Sequence, residues 1–325
     1  MGKTISPFFL CILLLTVSIR QTWAQYPLVL TIETDKEYYY LDETVYIYGN
    51  LTLEDVQVSD GLIGLEIENP KNKSIIIRTL PTGDISNKTW LIEILSVIPC
   101  DEWGVPKNSF QIGTLSYFNI TLKNNDIENR HVYISVNIFD SSQTPIGLSA
   151  FEAILYANST GQVILSVPIP ETASLGTAEA YANVFSLRPK QAGKPYGPEK
   201  SAQFNITNSQ TGSTLQAQLY TSSINGNFNL SFHISPYGIA GEYTISASSI
   251  YEGYVVFKQT TFYVKVPGDV NGDFRVDLID ASLLGLAWWS TPSDPNWNPE
   301  CDFNKDNRVD VADASLIGRY WGYKI

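Results

Sequence analysis

DVNGDFRVDLID, residues Asp269–Asp280, and DFNKDNRVDVAD, residues Asp302–Asp313, are two copies of one pattern, and each runs on into nearly the same stretch, ASLLG and ASLIG. A calcium ion takes six to eight oxygen ligands, and a tight 12-residue loop supplies them from positions 1, 3, 5, 7 and 12. Those positions hold Asp269, Asn271, Asp273, the Arg275 carbonyl and Asp280 in the first copy. The second copy offers Asp302, Asn304, Asp306, the Arg308 carbonyl and Asp313. Asp277 and Asp310 stand at position 9, where a ligand often acts through water. Val276 and Val309 at position 8 are placed to pair the two loops back to back.

The pattern departs from a standard EF-hand loop at two positions. Position 12 is Asp, one methylene shorter than Glu, and position 6 ordinarily takes Gly for its positive φ. Asn307 suits that conformation and Phe274 does not, so the first loop is expected to bind more weakly or to turn differently. No helix-starting pattern precedes either loop, since VKVPG leads into the first and PNWNPE into the second. A duplicated loop with only its exiting helix and with Asp at position 12 resembles the dockerin module, over roughly residues 267–325. The resemblance implies a small domain of a secreted protein that folds on two Ca2+ ions and docks onto a cohesin domain. In dockerins, positions 10 and 11 often contact the cohesin. Here they are Leu278-Ile279 and Val311-Ala312, more apolar than the usual polar pairs. Three roles stay open for this face: docking, pure stabilisation, or packing on the rest of the chain. Trp288, Trp289 and Trp321 follow the loops and are expected near one another, as core or as docking face.

The N-terminus reads as a secretory leader, residues 1–24. Lys3 gives the basic start, PFFLCILLLTV the apolar core, and Thr22-Trp23-Ala24 the small-x-small cleavage site. The apolar run is shorter than the about 20 residues that a bilayer span needs. The formal charge is −12, and the leader carries Lys3 and Arg20 but no acid, so the remainder is more acidic still. A nucleic-acid partner would want the opposite sign. Of the three cysteines, Cys11 lies in the leader, which leaves Cys100 and Cys301 either to bridge or to stand as separate buried thiols. N-glycosylation sequons begin at Asn50, Asn72, Asn87, Asn119, Asn158, Asn205 and Asn229. They are expected to be exposed, at strand ends and turns.

Between leader and loops, period-two runs dominate. VYISVNIFD, from Val132, and EYTISAS, from Glu242, alternate apolar with polar residues and are cut by Gly, Pro, Asn and Asp. This is the signature of β-sandwich strands. About 240 residues exceed one ordinary sandwich, so two are expected. TIETDKEYYYLDETVYIYGNLTL, from Thr31, resembles the opening strands of bacterial and archaeal Ig-like domains, with Asp42-Glu43 where Gly-Glu is usual. The stretch from Asn225, with GEYTIS and FYV, resembles the closing strands of the same domain type. The expected fold is therefore mainly β, with two Ig-like β-sandwiches, one inserted in the other, and a small α-helical duplicated calcium-loop module. The boundaries read as 25–83 for the first half of one sandwich, 84–208 for the insert, 209–266 for the second half and 267–325 for the module. Three consecutive domains are the competing arrangement.

Catalytic chemistry is poorly provided for. Only His131 and His233 are present, the first preceding a strand pattern and the second along one, and there is no phosphate loop, HExxH or CxxC. Asp101-Glu102-Trp103 places acids beside an aromatic, but a charged loop with its Trp tucked against the sandwich explains it better. Trp90, Trp103 and the tyrosines leave a sugar-stacking platform open. The sequence thus reads as a non-enzymatic, secreted or cell-surface protein. It attaches to a cohesin-like partner, with the sandwiches as spacer or adhesive surface. The alternatives are a polysaccharide-binding or -degrading component and a surface-structure protein with purely stabilising loops.

Overall fold

The computed structural model describes residues 27–208 and 225–325. The expected leader and the stretch 209–224 lie outside the described residues. In chain order the strands are β1 (Leu28–Leu30), β2 (Glu33–Thr34), β3 (Tyr38–Tyr40), β4 (Thr44–Leu53), β5 (Val56–Gln57), β6 (Leu62–Glu68), β7 (Ser74–Pro81), β8 (Ile92–Cys100), β9 (Ser109–Gln111), β10 (Leu115–Asn124), β11 (Arg130–Phe139), β12 (Pro145–Leu155), β13 (Thr160–Pro168), β14 (Gly176–Phe185), β15 (Lys200–Thr207), β16 (Asn227–His233), β17 (Gly241–Tyr251) and β18 (Tyr254–Lys265). Helices α1 (Leu278–Leu286) and α2 (Val311–Tyr320) follow.

The chain is mainly β. One sheet runs β1-β4-β16, with β2 and β5 also paired to β4, and faces a second sheet ordered β3-β18-β17-β6-β7. Strand alternation sends Val45, Ile47, Phe228 and Phe232 inward from the first sheet to meet Ile67, Ile76, Ile245 and Phe262 of the second. This sandwich is built from two distant stretches of chain. Val45 pairs with Phe232, Ile245 with Ile67, and Tyr39 lies beside Val264 in a parallel ladder. A second sandwich stacks sheet β13-β10-β8 against sheet β12-β11-β14-β15-β9. Phe118, Ile120, Val136, Ile138 and Phe204 fill its core.

The joint between the sandwiches is polar and buried. Strand β7 is the edge of its sheet, and an edge backbone left unpaired inside a protein is costly. Side chains of the second sandwich take the place of a neighbouring strand. The Ile77 N–H donates to Asn137 Oδ1 at 2.7 Å, and the Ile75 and Ile77 carbonyls accept from the amides of Asn137 and Asn183, both at 3.1 Å. Glu199 grips Arg78 in a two-point contact, at 2.8 and 2.5 Å, and also accepts the Thr79 N–H at 3.0 Å. Phe185 packs where a Cβ on Gly64 would stand 2.8 Å from its ring, so Gly64 is the gap that admits it.

Four of the seven sequon asparagines differ from a uniform picture of exposed turns. Asn205 is buried within β15, Asn119 and Asn50 are half-buried in strands, and Asn229 is exposed on a strand. Asn87 is exposed in a turn, and Asn72 and Asn158 are exposed with positive φ. The reason is that the sequons lie inside period-two runs, where one face must turn inward.

The calcium-loop module

Each loop is set by its own aspartates. At position 1, Asp269 accepts the N–H groups of Gly272, Asp273 and Phe274 at 2.9–3.1 Å. Asp302 does the same for Asp306 and Asn307, at 3.2 and 2.9 Å. At position 12, Asp280 accepts from Val270, Asn271 and Asp277, and Asp313 from Phe303, Asn304 and Asp310. Asn271 and Asn304 bond Asp273 and Asp306 at 3.2 and 2.9 Å. The two loops therefore repeat one hydrogen-bond scheme.

Their backbones match as well, which corrects the expectation that the first loop turns differently. Phe274 and Asn307 at position 6 have φ of 62° and 65°, and Gly272 and Lys305 at position 4 have φ of 74° and 60°. Each loop thus carries one residue suited to the left-handed region and one that is not. The Phe and Lys are held there by contacts outside the loop. Phe274 packs against Tyr263 of β18, ring centroids 6.3 Å apart, and the Lys305 ammonium sits 5.1 Å and 5.4 Å from the Tyr38 and Tyr40 rings of β3.

Position 9 starts a helix. Asp277 and Asp310 cap α1 and α2 through Ile279 and Ala312, both at 2.8 Å, and each cap is reciprocated by the position-12 aspartate. The valines at position 8 are fully buried, but their backbones do not pair with each other. Val276 exchanges hydrogen bonds with Gly322 and Tyr323 after α2, and Val309 with Trp289 and Ser290 after α1. Each loop is stitched to the exit of the other helix, a pseudo-twofold swap, and both valine side chains lie in one buried cluster. The tryptophans divide accordingly. Trp288 is half-buried with its ring 5.8 Å from that of Trp289, Trp289 is covered by the Arg308 guanidinium at 4.6 Å, and Trp321 is exposed.

The donor set is all oxygen: carboxylates, Asn amides and the carbonyls of Arg275 and Arg308. Asp280 and Asp313 are fully buried, and none of Asp269, Asp273, Asp280, Asp302, Asp306 and Asp313 has a cationic partner within 4 Å among the described residues. Burial pushes the Asp269 and Asp313 carboxyls above the usual carboxylate range, against the backbone N–H bonds that pull them down. Buried, crowded carboxylates with no counter-charge from the protein fit a hard divalent cation. Among the described residues no three His, Cys, Asp or Glu side chains converge on one point as a metal-binding group. In these loops Asn and carbonyl oxygens share the donor set with the carboxylates, and the carboxylates are engaged by backbone N–H groups.

The module is not a bead on a string. Its core residues Val276, Leu284, Val309 and Ile317 belong to the same buried cluster as Tyr39, Val264 and Val266 of the first sandwich. Phe303 meets Tyr40 edge-on at 6.5 Å, and the Tyr323 hydroxyl accepts the Ala240 N–H at 2.8 Å. Positions 10 and 11 stay clear of this seam: Leu278, Ile279 and Val311 are 71%, 55% and 69% exposed, and Ala312 is exposed too. The packing of this face onto the chain's own sandwich, which the sequence left open, is not made. Sequence reading missed the seam residues Tyr38, Tyr40 and Tyr263. Their one signal was the side chains at left-handed positions in the loops.

Residues 267–322 match the model of the dockerin type I domain. The C-terminal module is a type I dockerin. Type I dockerins are calcium-binding domains that bind cohesin domains, and proteins that carry them are typically extracellular. Among the described residues no helix is long and apolar enough to cross a membrane. A search of curated proteins gave no match. Among solved structures, the alkylpurine DNA glycosylase AlkC of Pseudomonas fluorescens is 12% identical, with a TM-score of 0.27 over 38% of this chain and 32% of its own. The β-glucosidase EmGH1 of Erythrobacter marinus is 10% identical, with a TM-score of 0.27 over 36% of this chain and 15% of its own. The C-terminal domain of wzt is 11% identical, with a TM-score of 0.31 over 41% of this chain and 86% of its own. The chain spans about a third of the glycosylase's length and less of the glucosidase's. Likenesses this low carry no argument.

Outside the dockerin, Cys100 and Cys301 are buried free thiols. His131 stands 3.4 Å from Glu152, and His233 3.1 Å from Asp42, both in strands. Asp101 caps its own loop through the N–H groups of Trp103 and Val105. Trp103 is 78% exposed there, not tucked against the sandwich, because the capped turn carries it outward.

Proposed function

We propose that this is an exported, non-enzymatic attachment protein. Its dockerin takes two Ca2+ ions, one per loop, and presents Leu278-Ile279 and Val311-Ala312 to a cohesin-like partner. One sandwich, residues 84–208, is inserted into the other, residues 25–83 and 209–266, and the pair serves as spacer or adhesive surface. The supporting observation is the division of labour in the dockerin. Phe274, Phe303, Lys305 and Tyr323 contact the sandwich, while the apolar residues at positions 10 and 11 remain exposed on both helices. Calcium bound in the loops would neutralise the buried carboxylates, and the chain's own aspartates and backbone N–H groups hold the loops in shape.

The test is binding of the whole chain to a panel of immobilised cohesin domains, with calcium and with excess chelator. Binding to at least one cohesin in calcium, lost in chelator and weakened tenfold or more by Ile279→Asp, is expected. No binding to any cohesin in calcium would overturn the reading.

A further inference from the structure

We infer that Asn229 is a glycosylated residue whose first sugar stacks on Tyr48 of the neighbouring strand. The observation is one of register. In the antiparallel pair β4–β16, Asn229 stands directly opposite Tyr48 and Ser231 directly opposite Tyr46. Phe228, Leu230 and Phe232 point into the core, as do Val45 and Ile47 from β4. Strand alternation therefore puts both tyrosines and the two polar residues of the sequon Asn229-Leu230-Ser231 on the outer face. Tyr46 and Tyr48 are 55% and 45% exposed there. Directly opposed residues on one face have their Cβ atoms about 4.5–5.5 Å apart.

Tyr46 and Tyr48 set two aromatic rings side by side on this solvent-facing sheet, a surface on which an apolar ligand face can pack. A pyranose offers one, because its polarised C–H groups pack on the negative face of a tyrosine ring. Of the four sequon asparagines in strands, only Asn229 faces an exposed aromatic. Asn50 is opposite Asn227 and accepts from the Thr31 hydroxyl at 2.7 Å. Asn119 lies between Ile98 and Ile164, and Asn205 between Thr177 and Ser109. The side-chain amide of Asn229 makes no hydrogen bond to any described residue and is exposed. Its nitrogen would take C1 of a sugar from a phosphate-linked glycosyl donor. The C1–O bond breaks, the phosphate leaves with the electron pair, and the amide nitrogen loses one proton as the N–C1 bond forms.

The inference rests on the export reading, so the test supplies export from outside. The chain is produced in a glycosylating secretory host behind that host's own leader, and the Asn229 peptide is mapped by mass spectrometry. A glycan on Asn229 is expected, and an unmodified Asn229 overturns the inference whatever the natural leader does. Tyr48→Ala should lower the melting temperature of the glycosylated chain by a few degrees and leave the Asn229→Gln variant unchanged. Enzymatic removal of the glycan from the folded wild-type chain should lower it likewise, which needs no aromatic variant to fold. Equal effects of Tyr48→Ala in both backgrounds, or no effect of glycan removal, overturn the stacking. Binding of a free polysaccharide to the Asn229→Gln variant that Tyr48→Ala abolishes also overturns it, by giving the face to a free ligand.

Discussion

The Arg319 guanidinium of α2 lies 2.8 Å from the carboxylate of Asp42, so the last helix is tied to the turn that opens the first sandwich. Asp42 also receives His233 at 3.1 Å, which draws the turn, β16 and the dockerin to one point. Both partners of the Arg319 pair are substantially exposed, and such pairs contribute little, at most about 1 kcal/mol. The buried contacts of the same seam matter more.

Tyr323→Phe should therefore cost more than Arg319→Ala. It removes the acceptor of the Ala240 N–H, a group in a fully buried residue, at a cost of about 1–3 kcal/mol. Urea unfolding of the whole chain, followed by tryptophan fluorescence, measures both. A larger loss in Arg319→Ala would mean that the seam is held by charge.

Asp269→Ala and Asp302→Ala should weaken calcium binding by similar factors. Position 6 alone favoured the second loop, because Asn307 suits a left-handed backbone and Phe274 does not. Position 4 restores the balance, since Gly272 is suited and Lys305 is not. Titration calorimetry of the two variants decides it, and a difference beyond tenfold would restore the ranking by position 6.

The duplicated loops, the exiting helices and the mainly β middle were legible in the sequence because each is a local pattern. Position-12 aspartates and alternating apolar residues announce themselves within a dozen residues. Strand β12 was not legible. Gly147, Ser149 and Ala150 dilute its alternation, and its far half, including Phe151 and Ile154, is exposed. The swap that stitches Val276 to the exit of α2 and Val309 to the exit of α1 was hidden too, because it is made by backbone groups. The seam with the first sandwich depends on pairing Tyr38 with Tyr263, more than two hundred residues apart, which no local pattern encodes.

Cys301 gives a pH-dependent handle. Burial, then the nearby Asp313 and Glu300, pushes its thiol up to about 11. A folded-state value above the unfolded one contributes stability at low pH, which is lost as pH rises from the ordinary thiol range of about 8.5 through that value. Stability of the calcium-free chain should fall over that window, and less so in Cys301→Ala, as followed by thermal melting. Because Cys301 directly precedes Asp302, alkylation of native Cys301 should be slow in calcium and fast in chelator. Equal alkylation rates would separate the thiol from the state of the loop.

The joint between the sandwiches should be insensitive to calcium and sensitive to Asn137. Asn137→Ala leaves the Ile77 N–H unpaired in a buried setting, at a cost of about 1–3 kcal/mol. Glu199→Gln disrupts a nearly buried pair with Arg78, and breaking such a pair costs about 3–5 kcal/mol when one partner is removed outright. Chemical denaturation with and without chelator should show the same loss for each variant. A loss seen only in calcium would mean that the joint is set by the dockerin.

The most direct test of the account is a calcium titration of the whole, calcium-stripped chain by calorimetry, since the buried aspartates of both loops are assigned to a cation. The account predicts saturable uptake of two ions, with Asp280→Ala and Asp313→Ala each removing one. No uptake of calcium by the intact chain, or uptake unaffected by both substitutions, would contradict it.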